Sequence, residues 1–128
     1  MEPENKTIGK ESLFNAGIAK LERIDSQRRI VNQARLENNW QILSSALINI
    51  RNEVHDRMNQ DEKDKADDME TAMRTEVISY RQKKSKGIRN MVINSKLMDG
   101  YNRYLSDLEM KYGLSLPNKP NESDSADE

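Results

Sequence analysis

The sequence predicts an all-α fold, built as an antiparallel four-helix bundle or as two stacked helical hairpins. Apolar residues recur at spacings of three and four through most of the chain, and no stretch alternates apolar and polar residues over a strand's length. Stop and start signals at Asn38-Asn39, Asn59, Gly87 and Gly113 divide that periodic stretch into segments of ordinary helix length. The connections between segments are short, and short connections imply antiparallel neighbours.

The first helix is expected from Ser12 to Asn38, with Phe14, Ile18, Leu21, Ile24 and Val31 on one face. Arg28 and Arg35 fall inside that stripe, so either they snorkel at its edge or the second half of the helix packs weakly. Asn38-Asn39 reads as a stop followed by a cap, because Asn tolerates the left-handed conformation and its side chain accepts from free amides. The second helix has the clearest pattern. Trp40, Leu43, Leu47, Ile50, Val54 and Met58 form one unbroken apolar stripe. Asn59 and Glu62 stand at capping-box spacing and open a third helix over 60–85, with Ala66, Met69, Met73, Val77 and Tyr80 inward.

Gly87 marks a break, and a fourth helix is expected over 88–112, with Met91, Leu97, Tyr101, Tyr104, Leu105 and Leu108 inward. Gly113 suits a left-handed C-terminal cap from which Leu114 packs back on Leu108, and Pro117 and Pro120 prevent continuation. The domain plan is a flexible polar arm (1–11), a helical domain (12–116) and a disordered acidic tail (117–128) without large apolar residues. Residues 33–50 look like one turn of a tetratricopeptide unit, with Trp40 and Ala46 near the expected positions. The usual glycine and a second copy are missing, and a repeat stack needs about three units.

Composition bounds the core. Hydrophobic residues make up 34% of the chain, or about 38% with the five glycines, against roughly 45–50% in average soluble domains. The mean hydropathy is -0.99. A thin core, an elongated shape or a face completed by another chain follows. Charge is high but balanced, with 21 Lys+Arg against 22 Asp+Glu, which disfavours a globally basic nucleic-acid binder but not a local patch. The absence of cysteine excludes disulfides, thiolate metal sites and cysteine catalysis. No apolar signal-peptide core and no apolar run of about 18 residues is present, so the expected setting is soluble and intracellular, away from membranes. The sequons at Asn5 and Asn121 carry no weight in that setting.

Four features bear on chemistry. His55, the only histidine, has Glu53 and Asp56 at offsets that do not share its helix face, so it reads as an ordinary solvated side chain. Asp61, Asp64 and Asp68 line one face as in helical phosphohydrolases that present carboxylates to Mg²⁺. The fourth helix offers only Asp99, Asp107 and Glu109 at no matching spacing, and acids at a helix start complement its dipole. Arg81, Lys83, Lys84, Lys86 and Arg89 put five positive charges in nine residues, a contact for phosphates or for an acidic partner. All but Arg89, which would begin the next helix, also suit a helix C-terminus. Six internal methionines, at 58, 69, 73, 91, 98 and 110, read as core filler.

The sequence therefore points to a non-catalytic module that works by protein–protein contact, with self-association as one form and no cofactor or metal. The alternatives are a nucleic-acid-associated accessory protein using the 81–89 cluster and, third, a metal-dependent phosphohydrolase. Each makes a structural demand. Docking needs exposed apolar side chains, nucleic acid needs the cluster to join Arg28, Arg29 or Arg35, and the enzyme needs carboxylates converging from two helices.

Overall fold

The computed structural model describes the backbone of residues 2–115 and the side chains of residues 17–115; the expected acidic tail, with Pro117 and Pro120, and the side chain of Phe14 lie outside the described residues. The fold is all-α, with helices α1 (Glu2–Leu36), α2 (Trp40–Val54), α3 (Gln60–Ser85) and α4 (Ser95–Lys111), and a 3-10 turn at His55–Arg57. The first helix starts at Glu2 rather than at Ser12, so its backbone runs through the segment expected as an arm. Pro3 falls in the first turn, where its missing N–H breaks no helical bond.

Three helices end by the same physical device. At each C-terminus the residue after the cap takes a positive φ, at Asn38 (55°), Gly87 (77°) and Gly113 (65°). That twist lets the next amide reach back to a carbonyl of the last turn: Asn39 N–H to Ala34 O at 2.9 Å, Ile88 to Lys83 at 3.1 Å and Leu114 to Glu109 at 2.7 Å. Asn39 also starts α2, its side chain accepting from the Ile42 amide at 3.2 Å. Asn59 and Glu62 form the expected capping box, with reciprocal bonds of 2.8 and 2.9 Å.

The fourth helix begins later than the sequence suggested. Residues 88–94 are irregular linker, so Arg89 opens no helix and the half-buried Met91 is a linker residue. After Gly87, Asn90 also takes a positive φ of 63°, and Asn94 caps α4 by accepting from the Lys96 amide. Glu76 on α3 accepts from the Asn94 amide at 2.8 Å and fixes the linker's end. Two left-handed residues three positions apart cannot belong to one right-handed helix.

Helix α2 is the centre of the molecule. It packs against α1, α3 and α4, and α3 packs against α4. Leu43, Leu47, Ile50 and Val54 are buried as the stripe predicted, and Trp40 is partly buried against them; Met58 is buried too, but in extended backbone after the 3-10 turn rather than on the helix that the stripe predicted. Ser44, Ala46 and Arg51 are buried as well, because neighbours on several sides leave α2 little solvent face. From the other helices come Ile24, Val31, Ala34, Ala66, Met73, Val77, Met98, Tyr101, Leu105 and Leu108. Leu114 is also buried, as expected. Ile18 is exposed, although its spacing placed it inward. Met58, Met73 and Met98 are core filler, whereas Met110 is exposed.

Helix α1 meets α4 through polar side chains. Arg28 donates from Nε to Glu109 at 2.9 Å and also holds the Asn102 side-chain oxygen. About two helical turns further on, Arg35 forms a two-bond pair with Asp99 at 2.9 and 3.2 Å and lies over the Trp40 ring. The two arginines in the apolar stripe thus bridge α1 to α4. A second polar layer lies deeper. Arg51, 7% exposed, pairs with Asp67 at 2.8 Å and Glu70 at 3.4 Å, and Tyr101 donates to Glu70 at 3.0 Å. Burial, then the charge of Glu70, raises the Tyr101 hydroxyl above its ordinary pKa, so it stays a donor. The Nε of Arg51 has no partner among the described residues.

Candidate functional site

The basic cluster lies where α3 ends. The Gly87 cap turns the chain sharply, and Arg81, Lys83 and Lys84 on the last turns, with Lys86 and Arg89 just beyond, surround this end of the helix. All five are exposed, and none is joined to a carboxylate among the described residues. Most arginines elsewhere are paired: Arg23 with Glu53, Arg28 with Glu109, Arg29 with Asp25, Arg51 with Asp67 and Arg74 with Glu70. The nearby acids are already engaged. Glu37 accepts from Gln33 at 2.6 Å, and Glu76 from the Asn94 amide.

Three adjoining depressions ring this end of α3. The first, about 560 Å³, lies between the α1–α2 turn and the end of α3, with Trp40, Tyr80, Arg81 and Lys84 in its wall. Tyr80 also borders the second, about 370 Å³, which includes Lys83, Ile88, Arg89 and Val92. Arg81 and Ser85 are shared between the first and the third, where Ile78 and Lys86 stand. Ile78 is 48% exposed, Ile88 46% and Val92 90%. Leu36, at the adjacent turn, is 80% exposed. Aliphatic side chains so open to water have given up the transfer free energy that burial supplies, about 25 cal/mol per Å².

The cluster was legible in the sequence; its company was not. Trp40 and Tyr80 are far apart in the chain and meet only because α2 starts where α3 ends. The exposed aliphatic residues were missed because Ile88 and Val92 were assigned to a helix that does not include them.

The other sequence candidates occupy different places. Arg28, Arg29 and Arg35 are each paired with acids and do not extend the cluster. His55 is exposed in the 3-10 turn, where its carbonyl accepts from the Met58 amide. Asp61, Asp64 and Asp68 face solvent, while Glu109 and Asp99 on α4 are held by arginines of α1. Among the described residues no three His, Asp or Glu gather as a cation site, and no helix is long and apolar enough to cross a membrane. The strongest carboxylate perturbation is structural. Hydrogen bonds from Lys111 and Tyr112, and then from the Asn59 amide, hold Glu62 down to about 2. Compared with protein-family models, curated proteins and solved structures, the chain matches none.

Proposed function

We propose that the chain is a non-catalytic helical module that binds a protein partner through the end of α3 and the linker that follows it. One observation carries the reading: Lys83 and Arg89, in no ion pair among the described residues, share a depression with exposed Ile88 and Val92, and Arg81, Lys84 and Lys86 line the depressions around the same helix end. Charges of one sign crowded together repel, and solvated aliphatic side chains gain by burial. A partner that covers both relieves both. The antiparallel arrangement of the four helices serves in this reading as a stiff support, held by the Arg51 layer and the α1–α4 arginine bridges.

A second reading has support of its own. Trp40 and Tyr80 stand beside Arg81 and Lys84, the pairing of rings and cations that single-stranded nucleic acid uses. The test separates the two. The native protein is used as bait beside Ile88→Ser/Val92→Ser and Lys83→Glu/Lys84→Glu variants, with and without nuclease. Proteins retained by the native chain after nuclease treatment, and lost by both variants, fit the protein-binding reading. Retention that disappears with nuclease refutes it in favour of nucleic acid. Sedimentation equilibrium of the same samples asks whether the partner is a second copy; association lost in both variants would identify it as such.

A further inference from the structure

We infer that the surface takes an acidic segment that also carries aliphatic side chains: carboxylates for Lys83, Arg89 and the neighbouring cations, and Leu, Ile or Val side chains for Ile88 and Val92. This rests on the protein-binding reading and names its partner's chemistry. The cations are concentrated in a chain whose formal net charge is only -1, so the positive field is local and selects for negative charge at this end alone. Glu37 and Glu76, which line the first and second depressions, keep their charge while accepting from Gln33 and the linker amide, and they offset only part of a field set by five cations.

Charge alone would admit a polyphosphate as readily as a carboxylate segment. The aliphatic residues decide between them. A nucleic-acid backbone has nothing to lay on Ile88 or Val92, and its bases seek ring faces. Trp40 is already stacked under Arg35 at 5.2 Å, and both Trp40 and Tyr80 are partly buried against the core. A peptide brings both groups at once, because side chains three or four residues apart on a helix, or two apart on a strand, reach one surface.

The chain's own acidic residues meet half the requirement. Glu122, Asp124, Asp127 and Glu128 lie in a stretch with no aliphatic residue larger than alanine. They follow the end of α4, where Lys111 pairs with Glu62 at the start of α3. Arg81 lies about 28 Å further along α3 at 1.5 Å per residue. That stretch matches the cations but not the aliphatic side chains, so it is a competitor rather than the occupant sought.

Trp40 is the only tryptophan and stands in the wall of the first depression, so its fluorescence reports occupancy directly. The full chain is titrated at fixed ionic strength with three probes of equal charge: an amphipathic peptide of Glu and Leu at helical spacing, polyglutamate, and a single-stranded oligodeoxynucleotide. The Glu/Leu peptide is expected to bind at least about tenfold more tightly than either other probe, a difference of about 1.4 kcal/mol. Ile88→Ser/Val92→Ser should erase that advantage and leave polyglutamate binding unchanged. Lys83→Glu/Lys84→Glu should weaken both peptides, and since all four positions are exposed, urea melts should show the variants folded. Equal binding of the two peptides overturns the aliphatic requirement, and tightest binding by the oligodeoxynucleotide overturns the acidic-segment assignment. If no probe binds while the bait still retains proteins in a surface-dependent way, the partner chemistry is wrong and the protein-binding reading stands. If both fail, both fall.

Discussion

Replacing Arg28 with Met removes the main tie between α1 and α4 and leaves Glu109 in a dry place without its cation. The Glu109 side chain is 5% exposed and that of Arg28 19%. Breaking a fully buried ion pair from one side costs about 3–5 kcal/mol. Here the arginine reaches the surface, so water can follow it out and rehydrate the carboxylate in part; the expected loss is about 2–3 kcal/mol. Replacing both residues by Met removes the stranded charge along with the pair. The double variant should therefore be more stable than the sum of the single losses implies, with a coupling of about 1–3 kcal/mol. Urea denaturation followed by far-ultraviolet circular dichroism gives the four stabilities of the cycle, provided the denaturant slope is common to all four. A cycle that closes within about 0.5 kcal/mol would show that the two side chains act independently, and the arginine bridge would lose its structural role.

Leu47, fully buried where α2 meets its neighbours, should cost about 2–5 kcal/mol on truncation to Ala; a loss under about 1 kcal/mol in a urea melt would mean that it does not pack. Glu62 should show in the acid limb of stability. Its pKa is lowered from 4.5 to about 2, so its contribution is present above about pH 4.5 and is lost as pH falls towards 2. Glu62→Gln, which keeps a capping-box acceptor, should be less stable than the native chain at neutral pH and converge with it near pH 2; a gap constant with pH would refute this. The glycines should part ways. Gly17→Ala adds a methyl that meets nothing within 4 Å and should stabilise α1 by about 0.5–1 kcal/mol, while Gly87→Ala, forced to φ 77°, should lose about 1 kcal/mol in the same melts. Effects of the same sign at both positions would contradict the helix and cap assignments.

The sequence by itself determined the local structure wherever the signal is local. The α2 stripe, the Asn59–Glu62 capping box, the Asn38 stop and the Gly113 cap each depend on residues within a turn or two of one another, and each stands as expected. Where two local signals compete, periodicity misleads: Gly87 alone reads as a break between contiguous helices, whereas Asn90 and Asn94 postpone α4 to Ser95. Tertiary structure alone decided what the charged residues do. Arg28, Arg35 and Arg51 look alike in the sequence as cations on or near apolar stripes, and only the approach of α4 or α3 supplies Glu109, Asp99, Asp67 and Glu70. The same holds for the surface. Five cations are visible in the sequence at 81–89, but it takes the packing of α2 on α3 to set Trp40 beside Tyr80, and the turned linker to leave Ile88 and Val92 in water next to them. A side chain's periodicity records which way it faces on its own helix; what it then meets depends on elements distant in sequence, whose placement that period does not encode.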